Sequence, residues 1–522
     1  MKHFLFLFLI LCAAACSAPS CKTNKTLRIS FNTTPSTLDP RKSGDFVSST
    51  LICMLYEGLT RCLPDGSPEL ALAEKIVISE DAKTYLFYLR KASWSDGKPI
   101  SAFDFERSWK KILDPAFPSI CAYLLFPIKN GEKCAQGKVP LCEAGIKALD
   151  DSTLCIELEK PAPYFLSLTS FPLFLPVPSE SESAWEQKPS CLVTNGPFLL
   201  EKFTPHSEIV LRKNPYFWNK DQIDPDQIHI AILPDEITSL QMFEQGELDW
   251  LGGPFAPIPP DAVERLQKPH YISSAASTIC SFNTETFPFQ NEDLRKAFSY
   301  AIDRNEIIQK VVPPGQKEAK RCLPPSLFGG EEKEHFFQDK NLARAHFQKA
   351  LSALSISPSS LEKLILYYKP GQVDSRLAQA LQKQWKEILG ITIQLRQVDF
   401  KGHSQLLQKR EYQLALGSWI SQFHDPVNLL DRFKNRNHLK NYPGWENSEF
   451  VSILDEAAST ADPQTRIALL EKAENLLAEH VPVSPLYHWN NPSIHSQRIA
   501  EIAISPSGGI LFERFRLNES PK

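Results

Sequence analysis

The side chains with the most chemistry available to them are the 12 cysteines, since thiols can be oxidised, acylated or bound to metals. Two of them, Cys134 and Cys142, stand at the ends of a short segment that contains Gly137 and Pro140. Glycine and proline favour turns, which would bring the two thiols together. The segment therefore predicts a disulfide between Cys134 and Cys142, provided that the protein meets oxidising conditions.

No spacing in the sequence predicts a metal centre or a catalytic site. The 12 histidines are dispersed, and the CxxC and HExxH spacings of zinc sites are absent. The GxSxG, P-loop and GxGxxG motifs are absent as well. We therefore expect no metal and no other cofactor, and we predict that the protein is not an enzyme.

The N-terminus has the pattern of a secretory signal peptide. Lys2 precedes an apolar run over residues 4–11, and small residues follow up to Ala15. As a helix this run is too short to cross a hydrocarbon core of about 30 Å. We predict that residues 1–15 are removed and that residues 16–26 form a polar tether.

Cys16 is the predicted lipidation site. Ala14-Ala15-Cys16-Ser17 resembles a bacterial lipobox, although Ala13 stands where such motifs usually carry Leu. A diacylated Cys16 would anchor the protein firmly to a membrane, because each buried methylene adds about 0.8 kcal/mol. Ordinary cleavage near Ala15 without acylation is the alternative.

Composition indicates a soluble, well-packed protein of several domains. The 522 residues include 57 Lys and Arg against 61 Asp and Glu, a formal net charge of −4, with 42% hydrophobic residues. At about 100 to 200 residues per domain, the length allows roughly three domains. A nucleic-acid partner is not expected, because the chain has no concentrated basic segment.

Hydrophobic periodicity predicts a mixed α/β fold. Alternating patterns indicate strands, and apolar residues at helical spacing indicate amphipathic helices. One strand, helix, strand succession in the C-terminal half predicts a right-handed crossover between parallel strands. The predicted strands are 27–31, 83–90, 364–368 and 391–395, and the predicted helices are 48–56, 104–112, 293–312 and 375–389.

Short blocks along nearly the whole mature length resemble those of one protein family. The blocks occur in the family's order, and this order is more specific than any single block. They are Leu38-Asp39-Pro40, Leu55-Tyr56-Glu57-Gly58-Leu59, Trp94-Ser95-Asp96-Gly97, Thr194-Asn195-Gly196-Pro197-Phe198, Arg212 to Trp218, Gly246-Glu247-Leu248-Asp249, Asp293 to Arg304, and Trp419 with Asp425-Pro426. The chain thus resembles the oligopeptide/dipeptide class (family 5) of bacterial extracytoplasmic solute-binding proteins, the capture subunits of peptide ABC importers.

The resemblance implies an α/β, two-lobed periplasmic binding protein fold with an extra inserted domain and with the ligand enclosed between the lobes. Lobe I would comprise residues 25–56, 190–277 and 489–522. The inserted domain II would comprise residues 57–189, and lobe III residues 278–488. The chain would cross the hinge near Cys280-Ser281 and Tyr487-His488.

The same resemblance implies ligand-binding roles for Ser418, Trp419, Ile420, Gln422 and Asp425. In relatives the main chain around this Trp pairs with an extended peptide, and an Asp three residues later holds the ligand's α-ammonium. Here that position is Gln422. Three interpretations stay open: Asp425 supplies the charge, the ligand has no free α-amine there, or the ligand is not an ordinary peptide. Alternatively, Asp425 caps the following helix.

The function implied is that of a monomeric lipoprotein of the periplasm or cell envelope, held on the membrane by its lipid anchor. It would capture oligopeptides by hinge closure and deliver them to the membrane permease subunits of an ABC importer. Murein peptides are the main alternative ligands, followed by dipeptides, haem and nickel complexes. An envelope peptidase and an adhesive surface protein are the rival functions.

Overall fold

The structure, a computed structural model, describes residues 25–179, 191–265, 269–328, 334–460 and 462–518. The predicted signal peptide, Cys16 and most of the predicted tether lie outside the described residues. Among the described helices, none combines the length and the apolar character that crossing a membrane requires.

The described strands are mostly short, with two long exceptions that run through the middle of the molecule. They are β1 (Thr26–Phe31), β2 (Thr60–Cys62), β3 (Pro68–Leu70), β4 (Ala73–Ile78), β5 (Thr84–Leu89), β6 (Ile146–Ala148), β7 (Thr153–Glu157), β8 (Phe198–Thr204), β9 (Glu208–Lys213), β10 (Gln227–Ile232), β11 (Trp250–Gly252), β12 (His270–Phe282), β13 (Lys317–Glu318), β14 (Ile365–Tyr368), β15 (Gln394–Gln397), β16 (Leu414–Ile420), β17 (Val483–His495), β18 (Ile499–Glu501) and β19 (Arg516–Leu517).

The described α-helices concentrate in the C-terminal half, and short 3-10 turns connect many of the elements. They are α1 (Phe46–Leu55), α2 (Ala102–Ile112), α3 (Gly131–Ala135), α4 (Phe165–Leu168), α5 (Glu236–Glu244), α6 (Pro260–Arg265), α7 (Glu292–Tyr300), α8 (Arg304–Lys310), α9 (Lys340–Leu354), α10 (Gln372–Leu389), α11 (Phe400–Lys409), α12 (Val427–Leu430), α13 (Ser448–Ser459) and α14 (Pro463–His480). Strands and helices therefore form the mixed α/β class that the periodicity predicts.

One hydrophobic core collects chain segments that are far apart in sequence. The sheet β1-β10-β9-β8 packs there with α1, and β1 pairs with β10 in parallel. Buried residues of this core run from Leu27 to Trp94, from Leu175 to Ile272 and from Ile510 to Leu517. The C-terminal segment thus returns to the N-terminal strand.

A second, larger core spans two further regions. It contains the sheet β4-β5-β7-β6 with α2 and α4, and it continues into the large sheet and helices of residues 275–487. The large sheet has the order β11-β17-β12-β16-β14-β15, and β13 also pairs with β17. Buried apolar side chains therefore join the region of residues 59–174 to the C-terminal half.

The long strands β12 and β17 connect the two cores. On β12, Ile272 belongs to the first core and Ala275 to the larger one. The antiparallel register between the two strands shifts between Ser273 and Ser277 and again between Thr278 and Ile279. Since a register shift locally disrupts the ladder, these two places favour bending of the strands. The change of core on β12 lies before the predicted crossing at Cys280-Ser281.

Most predicted elements are present, with one clear correction. The single helix predicted over 293–312 is wrong: the chain forms α7 and α8 with a break at Ala301–Asp303. Asp303 ends the first run and caps the second, since its side chain accepts from the main-chain N–H of Glu306 at 2.8 Å. Strand β15 also begins three residues after Ile391, the predicted start. Strands β14 and β15 are parallel, as predicted.

Candidate functional site

The sequence-predicted ligand segment begins on β16, at the centre of the large sheet. One side of β16 pairs with β12 over the whole length from Leu414 to Ile420. The other side pairs with β14 only at Leu414 and Ala415. Beyond Ala415, no strand of the described chain covers that side, which leaves a free edge at residues 418–420.

The direction of the main-chain groups follows from the pairing. The N–H of Ser421 donates to the carbonyl of Ala275 on β12 at 2.8 Å. Because successive residues of a strand point their main-chain groups to opposite sides, Ser418 and Ile420 direct theirs to the free edge. The carbonyl of Ile420 accepts there from Nη2 of Arg432 at 2.9 Å. Because Arg432 already donates to the Ile420 carbonyl, the groups left for an added extended chain are the N–H and carbonyl of Ser418 and the N–H of Ile420.

Trp419 is enclosed rather than displayed at the surface. Its side chain is 1% exposed, and its ring meets that of Phe433 edge-on with centroids 5.4 Å apart. The indole Nε1–H has no hydrogen-bond partner among the described residues. A buried donor without a partner costs free energy, so a group that accepts from it would be stabilised there.

Gln422 follows the edge and also keeps an unused polar atom. Its main-chain N–H donates to Oδ1 of Asn428 at 3.1 Å, which fixes the backbone. Its side-chain Oε1 is enclosed and has no partner in the described part of the chain. An amide can accept or donate, whereas a carboxylate at this position could only accept.

Asp425 is occupied by another side chain. Its carboxylate forms a two-pronged ion pair with Arg466, with Nη1 and Nη2 of Arg466 at 2.8 and 2.9 Å from its two oxygens. Both side chains are buried, and Oδ1 of Asp425 also accepts from the N–H of Val427 at 2.9 Å, at the start of α12. In this structure Arg466 compensates the charge of Asp425, so a role of Asp425 as the amine-binding acid would require this ion pair to be shared or broken.

Side chains from residues 57–189 face the ligand segment. The ring of Tyr164 stacks on that of Phe423 with centroids 5.3 Å apart, and Tyr123 meets His438 edge-on at 5.7 Å. At the rim, Lys160 pairs with Asp455 at 3.3 Å. Tyr164 therefore covers Phe423 from the region of residues 57–189, whereas the side chain of Ile420 is 48% exposed.

The structure brings together Ser418, Trp419, Ile420 and Gln422, but it does not form the predicted disulfide. Cys134 and Cys142 are both free thiols; Cys134 is buried and donates to the carbonyl of Pro140 at 3.5 Å, while Cys142 is exposed. Within the described ranges, no group of three or more His, Cys, Asp or Glu side chains is arranged to hold a metal.

Sequence reasoning missed Arg432, Arg466 and Tyr123. Arg466 lies 41 residues from its partner Asp425, and no local pattern links them. Arg432 follows Asp431 in the turn after α12, and an adjacent Asp and Arg in sequence do not indicate that the Arg is buried. Tyr123 comes from another region altogether, so only the fold places it near the segment.

Comparison with known proteins gives a family match over most of the chain. Residues 67–441 match the family described as "Bacterial extracellular solute-binding proteins, family 5 Middle". The oligopeptide-binding protein OppA of Bacillus subtilis is 34% identical over 503 residues, which covers 94% of this chain and 92% of that protein.

Solved structures agree over nearly the full length. The murein tripeptide binding protein MppA of Escherichia coli superposes with a TM-score of 0.82 at 25% identity, covering 95% of this chain and 99% of that one. The peptide-bound OppA of Listeria monocytogenes superposes with a TM-score of 0.78 at 26% identity, covering 95% and 100%. The architecture of this chain is therefore the two-lobed α/β architecture of those proteins, as predicted.

Proposed function

Because the chain belongs to the bacterial extracellular solute-binding proteins of family 5, we propose that it captures oligopeptides and presents them to the membrane subunits of an ABC importer. The family's relatives include proteins named for oligopeptide and dipeptide binding. Binding without chemistry fits the described site, where the enclosed groups are an indole, an amide and main-chain atoms. We propose that the protein works in the periplasm or cell envelope as a monomer.

The observation that carries this proposal is the free edge of β16 at residues 418–420, which lies next to the contact between Phe423 and Tyr164. A peptide that adds as an extended strand would pair with Ser418 and Ile420 through its own main chain, which every peptide has. Contacts such as Tyr164 with Phe423 would then cover the ligand from the opposite side. Main-chain pairing gives affinity without demanding one particular sequence.

Murein peptides form a second candidate class of ligand, supported by the fold match with MppA. Both classes share the peptide backbone that the free edge recognises. Gln422 in place of an acid favours ligands whose binding does not depend on a charged α-ammonium, and Asp425 is paired with Arg466. We therefore expect free and N-acetylated forms of one peptide to bind with affinities that differ by less than about tenfold.

The proposed function is tested by titrating the protein, purified under native conditions, with a mixed pool of peptides of two to six residues. A binder gives a rise in melting temperature with peptide concentration, and mass spectrometry recovers every bound peptide intact. Cleavage products would support the rival peptidase. A melting temperature that does not change with peptide concentration would support an adhesive or structural role and contradict the proposal.

We propose that the indole Nε1–H of Trp419, which is fully enclosed in this structure, donates to the ligand when the lobes rearrange around it. Trp419→Phe removes this donor and keeps an aromatic ring, so we expect peptide affinity to fall about threefold to tenfold. Trp385→Phe is a matched control, because the Nε1 of Trp385 already donates to the carbonyl of Phe298 at 2.9 Å. Equal effects of the two substitutions on peptide affinity would contradict a ligand contact for Trp419.

The proposed bounds of the lobes are those given by the family resemblance: residues 25–56, 190–277 and 489–522 for lobe I, 57–189 for domain II and 278–488 for lobe III. The first core supports lobe I, since most of its residues come from 27–56, 192–272 and 510–517, although Trp94 and Leu175 also belong to it. The larger core joins domain II to lobe III and does not separate them. Movement about β12 and β17 would open and close the cleft.

Membrane attachment through Cys16 is a separate proposal, supported by the lipobox-like sequence at Ala14-Ala15-Cys16. Cys16→Ser should move the protein from the detergent phase to the soluble envelope fraction. An unchanged distribution between the two phases would contradict acylation at Cys16.

A further inference from the structure

A cationic side chain without an ionic partner lies beside the free edge of β16. Arg432 is 6% exposed, and its Nη2 donates to the carbonyl of Ile420 at 2.9 Å. The described residues provide it with no other hydrogen bond and with no carboxylate partner. Its remaining nitrogens are not among the fully enclosed atoms that lack a partner, so they face space that solvent can reach.

Other buried arginines of the same region differ from Arg432 in this respect. The guanidinium of Arg295 donates to main-chain carbonyls on every side, including those of His480 and Phe289. Arg304 donates to the carbonyl of Pro485 and to the hydroxyl of Ser484. Their donors are used by the fold itself. The donors of Arg432 are mostly unused, which is costly for a buried cation unless a ligand uses them.

Apart from Asp431, which precedes it in sequence and pairs with Lys434 at 3.6 Å, the titratable groups near Arg432 are positive or neutral. Burial raises the pKa of the Tyr123 hydroxyl, whereas the charge of Arg432 favours the ionised form and so acts to lower this pKa. That hydroxyl is enclosed without a partner in the described part of the chain. Burial together with Arg432 and Lys440 lowers the pKa of His438 to about 4, so this histidine is neutral at pH 7. Lys440 also has no ion-pair partner among the described residues. The local field therefore attracts negative charge.

We propose that Arg432 receives a carboxylate of the bound peptide at the end of the β16 edge. The guanidinium fork matches a carboxylate and can donate two parallel hydrogen bonds to it. The carboxylate comes either from an acidic side chain or from the carboxyl terminus of the ligand. This inference rests on the proposed function and narrows it to peptides with a carboxylate at that place.

The test uses pentapeptides of alanine that carry one Glu or one Gln at each position in turn, with either a free or an amidated carboxyl terminus. Calorimetry on the native protein should show at least about a tenfold tighter Kd for the acid in one matched pair. A Glu/Gln pair identifies a side chain as the source, and the acid/amide pair identifies the carboxyl terminus.

Arg432→Gln should reduce that preference to about twofold or less, while Arg432→Lys should retain part of it. Arg436→Gln is the matched control, since Arg436 is 55% exposed and pairs with Glu285 and Glu446 at the surface. If Arg432→Gln does not fold, the acid preference of the native protein and its partial retention in Arg432→Lys still test the proposal.

Equal affinities within every matched pair would overturn the inference while leaving peptide capture intact, and so would a preference that survives in Arg432→Gln. If neither these pentapeptides nor the mixed peptide pool bind, the proposed function fails and the inference fails with it.

Discussion

At the scale of single residues, the pairing of Asp425 with Arg466 separates a structural role from a ligand-binding one. Asp425→Ala leaves Arg466 as a buried, unpaired cation, which should cost about 3–5 kcal/mol of unfolding free energy. Peptide affinity of the folded fraction should change little. Urea unfolding and calorimetry measure the two quantities, and a loss of affinity at unchanged stability would make Asp425 a ligand residue after all.

The buried carboxyl group of Glu57 is expected to make the stability of the protein depend on pH. Burial raises its pKa to about 7, although Arg61 and the indole N–H of Trp218 favour the charged form. The folded state therefore holds this proton more tightly than the unfolded state does, so stability falls as pH rises from about 4.5 to about 7.

Glu57→Gln keeps an acceptor for Trp218 and removes the titration. We expect the variant to gain stability relative to the native protein by about 1–3 kcal/mol between pH 5 and pH 8. Denaturant unfolding at both pH values provides the comparison. Identical pH slopes for the two proteins would show that Glu57 does not titrate in this range.

Residue-level roles were the least predictable part of the site. The family blocks pointed to Trp419, which carries the resemblance, and to Gln422, which stands three residues later where relatives have Asp. Arg466, which pairs with Asp425, lies on α14, and Tyr123, which lies near Arg432, comes from another region of the chain. Such long-range partners leave no periodic trace in the sequence.

At the scale of elements, the break between α7 and α8 depends on a cap inside an unbroken apolar pattern. Asp303→Ala removes the side chain that accepts from the N–H of Glu306, and should cost about 1 kcal/mol. Asp303→Asn, which can still cap, should cost clearly less. Both variants should bind peptide normally. Unchanged unfolding midpoints for Asp303→Ala would mean that packing alone starts α8.

The sequence contained the signal for this break, but helical spacing outweighed it. Leu294, Ala297 and Phe298 continue in phase into Ile302, and no Gly or Pro interrupts them. Asp303 with Glu306 three residues later has the form of a capping pair, which marks a helix start. Strand β14 was predicted from its sequence, but the pattern did not predict β16 or the pairing between them, and the free edge depends on where β14 ends.

At the scale of the whole molecule, the stacking of Tyr164 on Phe423 should help keep the ligand enclosed. Tyr164→Ala removes an aromatic pair worth about 0.5–1.5 kcal/mol, so the dissociation rate of a bound peptide should rise about twofold to tenfold. Lys160→Ala is the control, because Lys160 is 69% exposed and its pair with Asp455 contributes little. Stopped-flow release rates that are equal in the two variants would contradict a closing role for Tyr164.

The central claim, that intact peptide is held between the lobes, is tested most directly by native mass spectrometry of protein purified without denaturation. We predict a complex heavier than the processed chain, which releases peptides on denaturation. These peptides should be enriched in carboxylates if Arg432 acts as proposed. A mass equal to that of the chain alone, unchanged after incubation with the peptide pool, would contradict the account.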